Sequence, residues 1–500
     1  MTEDRIRCPS CRDKIMTSDE AAKLIKGGMN VATSGFALAG NPKEVLPAFI
    51  RKREANWERM RINLWTGAST GYEVDGLLGE HDAVKKRFPY QSTKEMRNCI
   101  NRGITWYNDM HLSLSSQSVR YGWWGNLDVA IVEAAAITEK GELVLTTGVG
   151  NTPTFVLMAD KVIVEVNHTF PRELEGIHDL YSVDDPPDRD PILITRPGEK
   201  IGSPYLAVPE EKIAAVVTSD TKEKGPVFQE AKPVHEKMAH HLIGFLTDEV
   251  DAGRLPAHLL PLQSGVGNVA NAVLSGLANS DFSDLHVYSE VLQDSILTLL
   301  ESGKLKGASG CAVNLSDSSM ERFYENLDWY KEKIVLRPLE ISNHPEIIRR
   351  LGVIAMNTAI EADIYGNVNS THLMGSNIMN GIGGSGDFAR NAYLSFFFTE
   401  STAKKGDISS IVPYVSHTDH TEHDVDVIIT EQGAADLRGL SPRERAIEVI
   451  EQCAHPDYKE ALWDYHNRAV NETGGQTPHL LEESFSWHTR FINKGTMKQG

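Results

Sequence analysis

Positive charge is what this 500-residue chain has least of: 50 Lys and Arg stand against 69 Asp and Glu, a formal net charge of −19. A general nucleic-acid binder needs a basic face to release counterions from phosphates, so that class is excluded. An anionic ligand is not excluded, but backbone dipoles and a few placed cations have to meet it. Cysteine is scarce as well: five residues, odd in number and scattered. That rules out a disulfide framework and reads as a reduced, cytoplasmic chain. No run reaches the ~18 apolar residues that span a bilayer, so no membrane partner is expected. Met1-Thr2-Glu3-Asp4-Arg5 is polar with no apolar core behind it, and no targeting segment is read there. No G-x-x-x-x-G-K-[ST] phosphate loop exists, and no low-complexity segment.

What is present is ordinary globular chemistry. Hydrophobic residues make up 41% and charged residues 24%. At roughly 100–200 residues per domain, two or three domains are expected, large enough to bury cores without staples. Short apolar, β-branched runs at 31–36, 63–66, 128–134 and 161–166 read as strands. Helical patterns at 21–26, 235–250, 442–453 and 458–470 alternate with such runs. Asn41-Pro42 reads as the cap and first turn of a helix reaching about 60. The alternation predicts an α/β fold with a largely parallel sheet. A polar, turn-forming stretch at 219–234 marks a boundary, which divides the chain into 1–225 and 226–500. Thr147-Gly148-Val149-Gly150-Asn151 is echoed by Ser264-Gly265-Val266-Gly267-Asn268, which suggests two related α/β halves with a cleft for ligand.

Two glycine-rich segments carry the first chemical signal. Gly265-Val266-Gly267 follows a strand and opens a helix, where backbone N–H groups can hold an anion or a developing oxyanion. Gly381-Ile382-Gly383-Gly384-Ser385-Gly386 is denser and allows close approach of backbone to ligand; a tight turn is its bland reading. Neither is read as a dinucleotide site, and a serine hydrolase is not expected. Tyr288-Ser289-Glu290 places a carboxylate at the C-terminal end of an apolar strand, where α/β sites sit; a solvent-facing or capping glutamate is the alternative. Cys8-Pro9-Ser10-Cys11 is half a zinc knuckle without a second half, and reads as an unliganded, frayed pair. The run from His417 to Asp424 has metal-like composition but forces no complete ligand set, and suits a polar loop equally well. No metal is expected.

At these residues the chain resembles the acetyl-CoA hydrolase/transferase family of class I CoA-transferases, nearest its bacterial succinyl-CoA:acetate branch. The resemblance runs from Thr33-Ser34-Gly35-Phe36 to Ser486-Trp487-His488. It rests on Leu259 to Asn268, Tyr288-Ser289-Glu290-Val291, Ile360 to Ser370, Gly381 to Arg390, and Thr430-Glu431-Gln432-Gly433. It implies two open-sheet α/β domains with an active site between them. It also implies transfer of CoA between an acyl-CoA and a small carboxylate through a glutamyl-CoA thioester. The catalytic residue it implies is Glu290, with oxyanion donors at Val266 and Gly384. CoA-contacting positions fall on Gly265, Val266, Asn343, Ile360, Asn380, Gly384 and Lys404. CoA is then a substrate, no cofactor is permanently bound, and a homodimer is expected. Lys222 and Lys224 suit the far carboxylate of a dicarboxylic acyl group or simple solvation; Glu431 suits an acyl pocket or a structural turn.

Overall fold

The computed structural model describes residues 2–55, 59–228, 232–265 and 267–499. They form two compact units. Unit one comprises Met1–Val227, His286–Leu297 and Lys306–Leu351; unit two comprises Phe228–Leu285, Thr298–Leu305 and Gly352–Gly500. The chain therefore does not divide at a single cut near 225. Residues 286–297 and 306–351 pack with the first unit because their backbone pairs there. Val149 N–H donates to the Cys311 carbonyl (3.0 Å), Val313 N–H to Thr147 (2.9 Å), and Asp179 N–H to Leu336 (2.8 Å).

Unit one is built on an eight-stranded sheet: β1 (Asn30–Thr33), β2 (Ile62–Trp65), β3 (Val84–Phe88), β4 (Trp106–Tyr107), β5 (Leu127–Ile137), β6 (Leu143–Leu145), β7 (Ala159–Asn167) and β8 (Ile213–Ser219). The order is β4-β3-β2-β1-β5-β7-β8, with β6 flanking β5. All pairs are parallel except β5–β6. The long apolar reads of β5 and β7 are what a sheet covered on both faces demands. One core cluster joins Val31, Leu64, Val129, Ile131 and Ile163 to Leu46, Phe49 and Leu78.

The helix expected from Asn41 starts later, as Val45–Ala55. Asn41 does not cap it; its Nδ2 donates back to the Ala37 carbonyl (3.1 Å). The cap is Glu165 of β7, whose carboxylate accepts the N–H groups of Lys43 (2.6 Å), Glu44 (3.0 Å) and Val45 (2.8 Å). A buried acid can satisfy the orphan donors of a helix start from far away in sequence. Burial pushes the Glu165 carboxyl up to about 7. The Cys8/Cys11 pair is not frayed either. Both thiols are buried, and the segment is tied down by Arg7 N–H to Ile137 (3.0 Å) and Met16 N–H to Val216 (2.9 Å).

Unit two carries parallel strands Leu262–Ser264, Ile354–Thr358, Leu394–Phe398 and Val427–Ile429, closed by the antiparallel edge Ala434–Asp436. The helix Pro233–Asp251 and the pair Pro442–Cys453 and Pro456–Thr473 complete it. The two halves of the sequence echo sit differently. Thr147–Asn151 follows the antiparallel β6, whereas the 264–268 segment follows a parallel strand; Val266 itself lies outside the described residues.

Glu249, near the end of the helix Pro233–Asp251, is gripped by two guanidinium forks. Arg254 donates at 2.9 and 2.7 Å and Arg438 at 3.1 and 2.7 Å. Arg254 first, then Arg438, hold its carboxyl down to about 2. A depressed carboxyl lends stability that is full above the unfolded value near 4.5 and is lost as pH falls through the folded one. Glu249→Gln is therefore expected to lower the thermal midpoint at neutral pH and to converge on wild type as pH approaches 2. A midpoint difference that stays constant from pH 6 to pH 2 contradicts this account.

Candidate active site

Glu290 sits in the break between strands Leu285–Tyr288 and Val291–Leu292. Its backbone is held from the next strand: Cys311 N–H and Ala312 N–H both donate to its carbonyl (2.6 and 3.1 Å), and Ser289 N–H donates to Ser309 (2.9 Å). The close crossing requires little bulk at Gly310, where an added Cβ would lie 3.0 Å from Leu292 Cγ and 3.1 Å from the Glu290 carbonyl oxygen. The side chain is largely buried, and Oε1 accepts a hydrogen bond from Asn343 Nδ2 at 2.5 Å. Asn343 closes the short helix Leu339–Ser342, and its Oδ1 accepts from Ser342 Oγ (3.0 Å), which fixes the amide with its nitrogen toward the carboxylate. Tyr288 Oη, on the strand that delivers Glu290, donates to the Ile341 carbonyl (2.6 Å) and locks that helix to the strand.

This is a buried acid whose Oε1 is held by a neutral amide. A hydrogen bond to a charged group is worth about 1.5–3 kcal/mol, enough to orient a carboxylate. Cys311 beside it is no rival nucleophile: burial raises its thiol far above the ordinary range, and Gly150 N–H donates to its sulfur (3.1 Å). Gly150 itself is required by the crossing, since its φ is +55° and a Cβ would lie 2.1 Å from the Gly35 carbonyl oxygen.

Unit two gathers most of the other expected positions at the carboxyl ends of four adjacent parallel strands, the place where open α/β sheets bind ligands. Gly265 follows Leu262–Ser264 and donates to Met356 (2.9 Å). Ile360 follows Ile354–Thr358 and donates to Asn369 (2.8 Å). Lys404, exposed and at φ +51°, follows Leu394–Phe398. Glu431 follows Val427–Ile429. Asn380 and Gly384 share one loop, with Gly384 opening the helix Ser385–Ala389. Asn343, by contrast, belongs to unit one with Glu290. Val266 lies outside the described residues.

The loop does spell G-x-G-x-x-G over Gly381–Gly386, against the sequence expectation, but its context is wrong for a dinucleotide. A two-residue hairpin strand, Asn377–Ile378, precedes it, and a five-residue helix follows. Likewise Gly67-Ala68-Ser69-Thr70-Gly71 spells G-x-S-x-G. Ser69 is fully buried there and donates to the Ser34 carbonyl (2.7 Å), so it is not an exposed nucleophile.

Burial raises the Glu431 carboxyl, but hydrogen bonds from Ser401 and Gln432 outweigh it and hold the group below its ordinary range. Its oxygens are engaged in fixing a turn. Lys222 and Lys224 line a cavity of about 310 Å³ that also presents Glu223, Asp317 and Glu321.

The sequence reading did not foresee that Asn343 and Glu290 touch. The contact arises from packing of a helix on a strand, and no spacing rule announces it.

These features define an α/β protein with a buried strand-end glutamate and glycine-rich turns at strand ends. Comparison with known proteins narrows the class. Residues 4–218 match the acetyl-CoA hydrolase/transferase N-terminal domain and residues 320–466 the C-terminal domain of the same family. The chain belongs to the acetyl-CoA hydrolase/transferase family and is an enzyme of CoA transfer or hydrolysis. It is 54% identical to the succinyl-CoA:acetate CoA-transferase of Clostridium kluyveri, over 100% of this chain and 93% of that one. It is 44% identical to the acetyl-CoA hydrolase of Schizosaccharomyces pombe, over 100% and 99%. The solved structure of RipA from Yersinia pestis shares the fold: TM-score 0.72 at 24% identity, covering 91% of this chain and 97% of that chain. Among the described residues no helix is long and apolar enough to cross a membrane.

Proposed function

We propose that this enzyme moves CoA from an acyl-CoA to a free carboxylate, with succinyl-CoA and acetate as the working pair. The observation that carries the reading is the buried Glu290 carboxylate on Asn343. Glu290 attacks the thioester carbonyl, giving a mixed anhydride and CoA thiolate. The thiolate attacks the glutamyl carbonyl, giving a glutamyl-CoA thioester and releasing the first acid. The acceptor carboxylate then attacks, and the steps reverse. Only an acid side chain can pass through both an anhydride and a thioester. Each tetrahedral intermediate puts charge on a former carbonyl oxygen, and the reading keeps backbone N–H groups at Val266 and Gly384 as its donors. Losing one such donor commonly costs ~3–4 kcal/mol. The same reading includes a cytoplasmic homodimer with CoA as substrate, not as resident cofactor.

The name of the S. pombe relative favours a second reading, acyl-CoA hydrolysis. Water reaching the glutamyl thioester is all that separates the two. Incubation with succinyl-CoA, borohydride trapping and mass spectrometry, without and with acetate, tests both. A reduced adduct mapped to Glu290, with acetyl-CoA formed when acetate is present, is the expected result. Free CoA with no adduct and no acetyl-CoA overturns the transferase reading.

A further inference from the structure

We propose that His372, His417 and Asp419 form a binding site for one first-row divalent cation of zinc's class. The run from His417 to Asp424 does not act as a unit. His420 is turned inward against Phe397, with ring centroids 4.6 Å apart, and His423 is exposed. Two of its members instead meet a histidine from the short strand His372–Leu373.

One ligand atom from each of the three residues lies within 4.8 Å of the other two. His417 Nε2 is 3.3 Å from Asp419 Oδ1. Two ligands held about 2.0–2.1 Å from a tetrahedral ion are separated by about 3.3 Å, so this edge already has the right length. The two imidazole rings pack against each other, with centroids 3.8 Å apart at 33°.

The surrounding shell is set as a metal site needs. Thr371 Oγ1 lies 2.6 Å from His372 Nδ1 and 2.8–2.9 Å from both oxygens of Asp419. A hydroxyl has one proton. If Thr371 donates to Asp419, then His372 Nδ1 must be the protonated nitrogen, and Nε2 keeps its lone pair. That is the tautomer of a ligating histidine whose other nitrogen donates to an outer partner. Ser370 N–H (2.7 Å) holds the Asp419 carboxylate from behind. Two imidazoles and one carboxylate select zinc, cobalt or nickel over magnesium or calcium, and leave a fourth position for water.

Such an ion would tie residues 370–372 to 417–419. Both flank the glycine-rich loop: Thr371 accepts from Met379 N–H (2.7 Å), and His420 meets Ser385 Oγ at 3.2 Å. Its role is to brace that loop. The site uses none of the residues of the proposed chemistry, so it survives failure of that chemistry.

The test is chelator-treated full-length protein titrated with Zn²⁺ by calorimetry and with Co²⁺ by visible absorption. One equivalent per chain is expected, with tetrahedral Co²⁺ bands displaced by Zn²⁺. His372→Ala and His417→Ala should each weaken binding at least about tenfold, since even outer-shell losses cost 10–100-fold. Asp419→Asn preserves shape and should weaken it likewise; His423→Ala should bind as wild type. Absence of binding at ~100 μM Zn²⁺, or an equivalent that persists in all three ligand variants, overturns the proposal.

Discussion

Glu290→Ala protein is expected to fold like wild type and to lose turnover by at least ~10⁴-fold, the scale on which removing a covalent nucleophile acts. The expectation rests on two separate facts. The side chain is largely buried, and truncation to Ala removes its carboxyl, including the bond from Asn343, without adding bulk. The backbone bonds at residue 290 are made by its carbonyl and are untouched by truncation. Glu290→Asp keeps the acid but retracts it by one methylene from Asn343. A displacement of about 1 Å is enough for ~10²-fold. Asn343→Ala leaves the carboxylate without that donor and should cost about 1.5–3 kcal/mol in kcat, or ~10–100-fold. Rates of CoA release and acyl-CoA formation, measured beside circular dichroism melts, check the series. Full activity in well-folded Glu290→Ala protein would end the covalent mechanism.

Arg337→Ala is expected to destabilise the first unit by ~3–5 kcal/mol, because it strands a buried charge. Arg337 and Asp179 are both fully inaccessible and ion-paired. Arg337 Nη1 meets Asp179, Nε donates to Ser309 Oγ (2.7 Å), and Nη2 donates to both the Pro197 and Glu199 carbonyls. Asp179 accepts from Ile201 N–H (2.9 Å) and Gly202 N–H (2.5 Å). Every polar atom of the pair is spoken for, so removing one member abandons several partners at once. Asp179→Leu should be comparably harmful, whereas the double replacement Arg337→Met with Asp179→Leu should recover part of the loss, since an apolar pair of similar volume leaves no orphan charge. Urea midpoints report all of these. An Arg337→Ala midpoint equal to wild type would show that the pair is dispensable. Ser289 N–H, one residue before Glu290, donates to the Ser309 carbonyl, so the variant should also lose activity below its unfolding midpoint.

How much of this was legible beforehand depends on the range of the interaction. Strands at 63–66, 128–134 and 161–166 were read nearly as observed, because β-branched apolar runs announce buried parallel strands. The helix Pro442–Cys453 was read to the residue, with its proline at the first turn and a Ser441/Glu444 capping box to mark the start. The helix after Asn41 was misplaced because its cap, Glu165, arrives from another strand. The strand end that carries Glu290 was legible; its contact with Asn343 was not. His417 and Asp419 were visible in sequence, and His372 was not seen with them. In each case the missing piece is a tertiary contact between distant segments, which local periodicity does not encode. Two short glycine strings match motifs in letters alone, because neither has the strand–helix or exposed-serine setting its motif needs.

The Tyr288–Ile341 bond has a meaning in entropy. Because one phenol fastens the helix of Asn343 to the strand of Glu290, the carboxylate surrenders its rotational freedom when the chain folds, before any acyl group arrives. On the proposed mechanism, substrate capture then need not freeze the Glu290 side chain, because that ordering has already been done in folding.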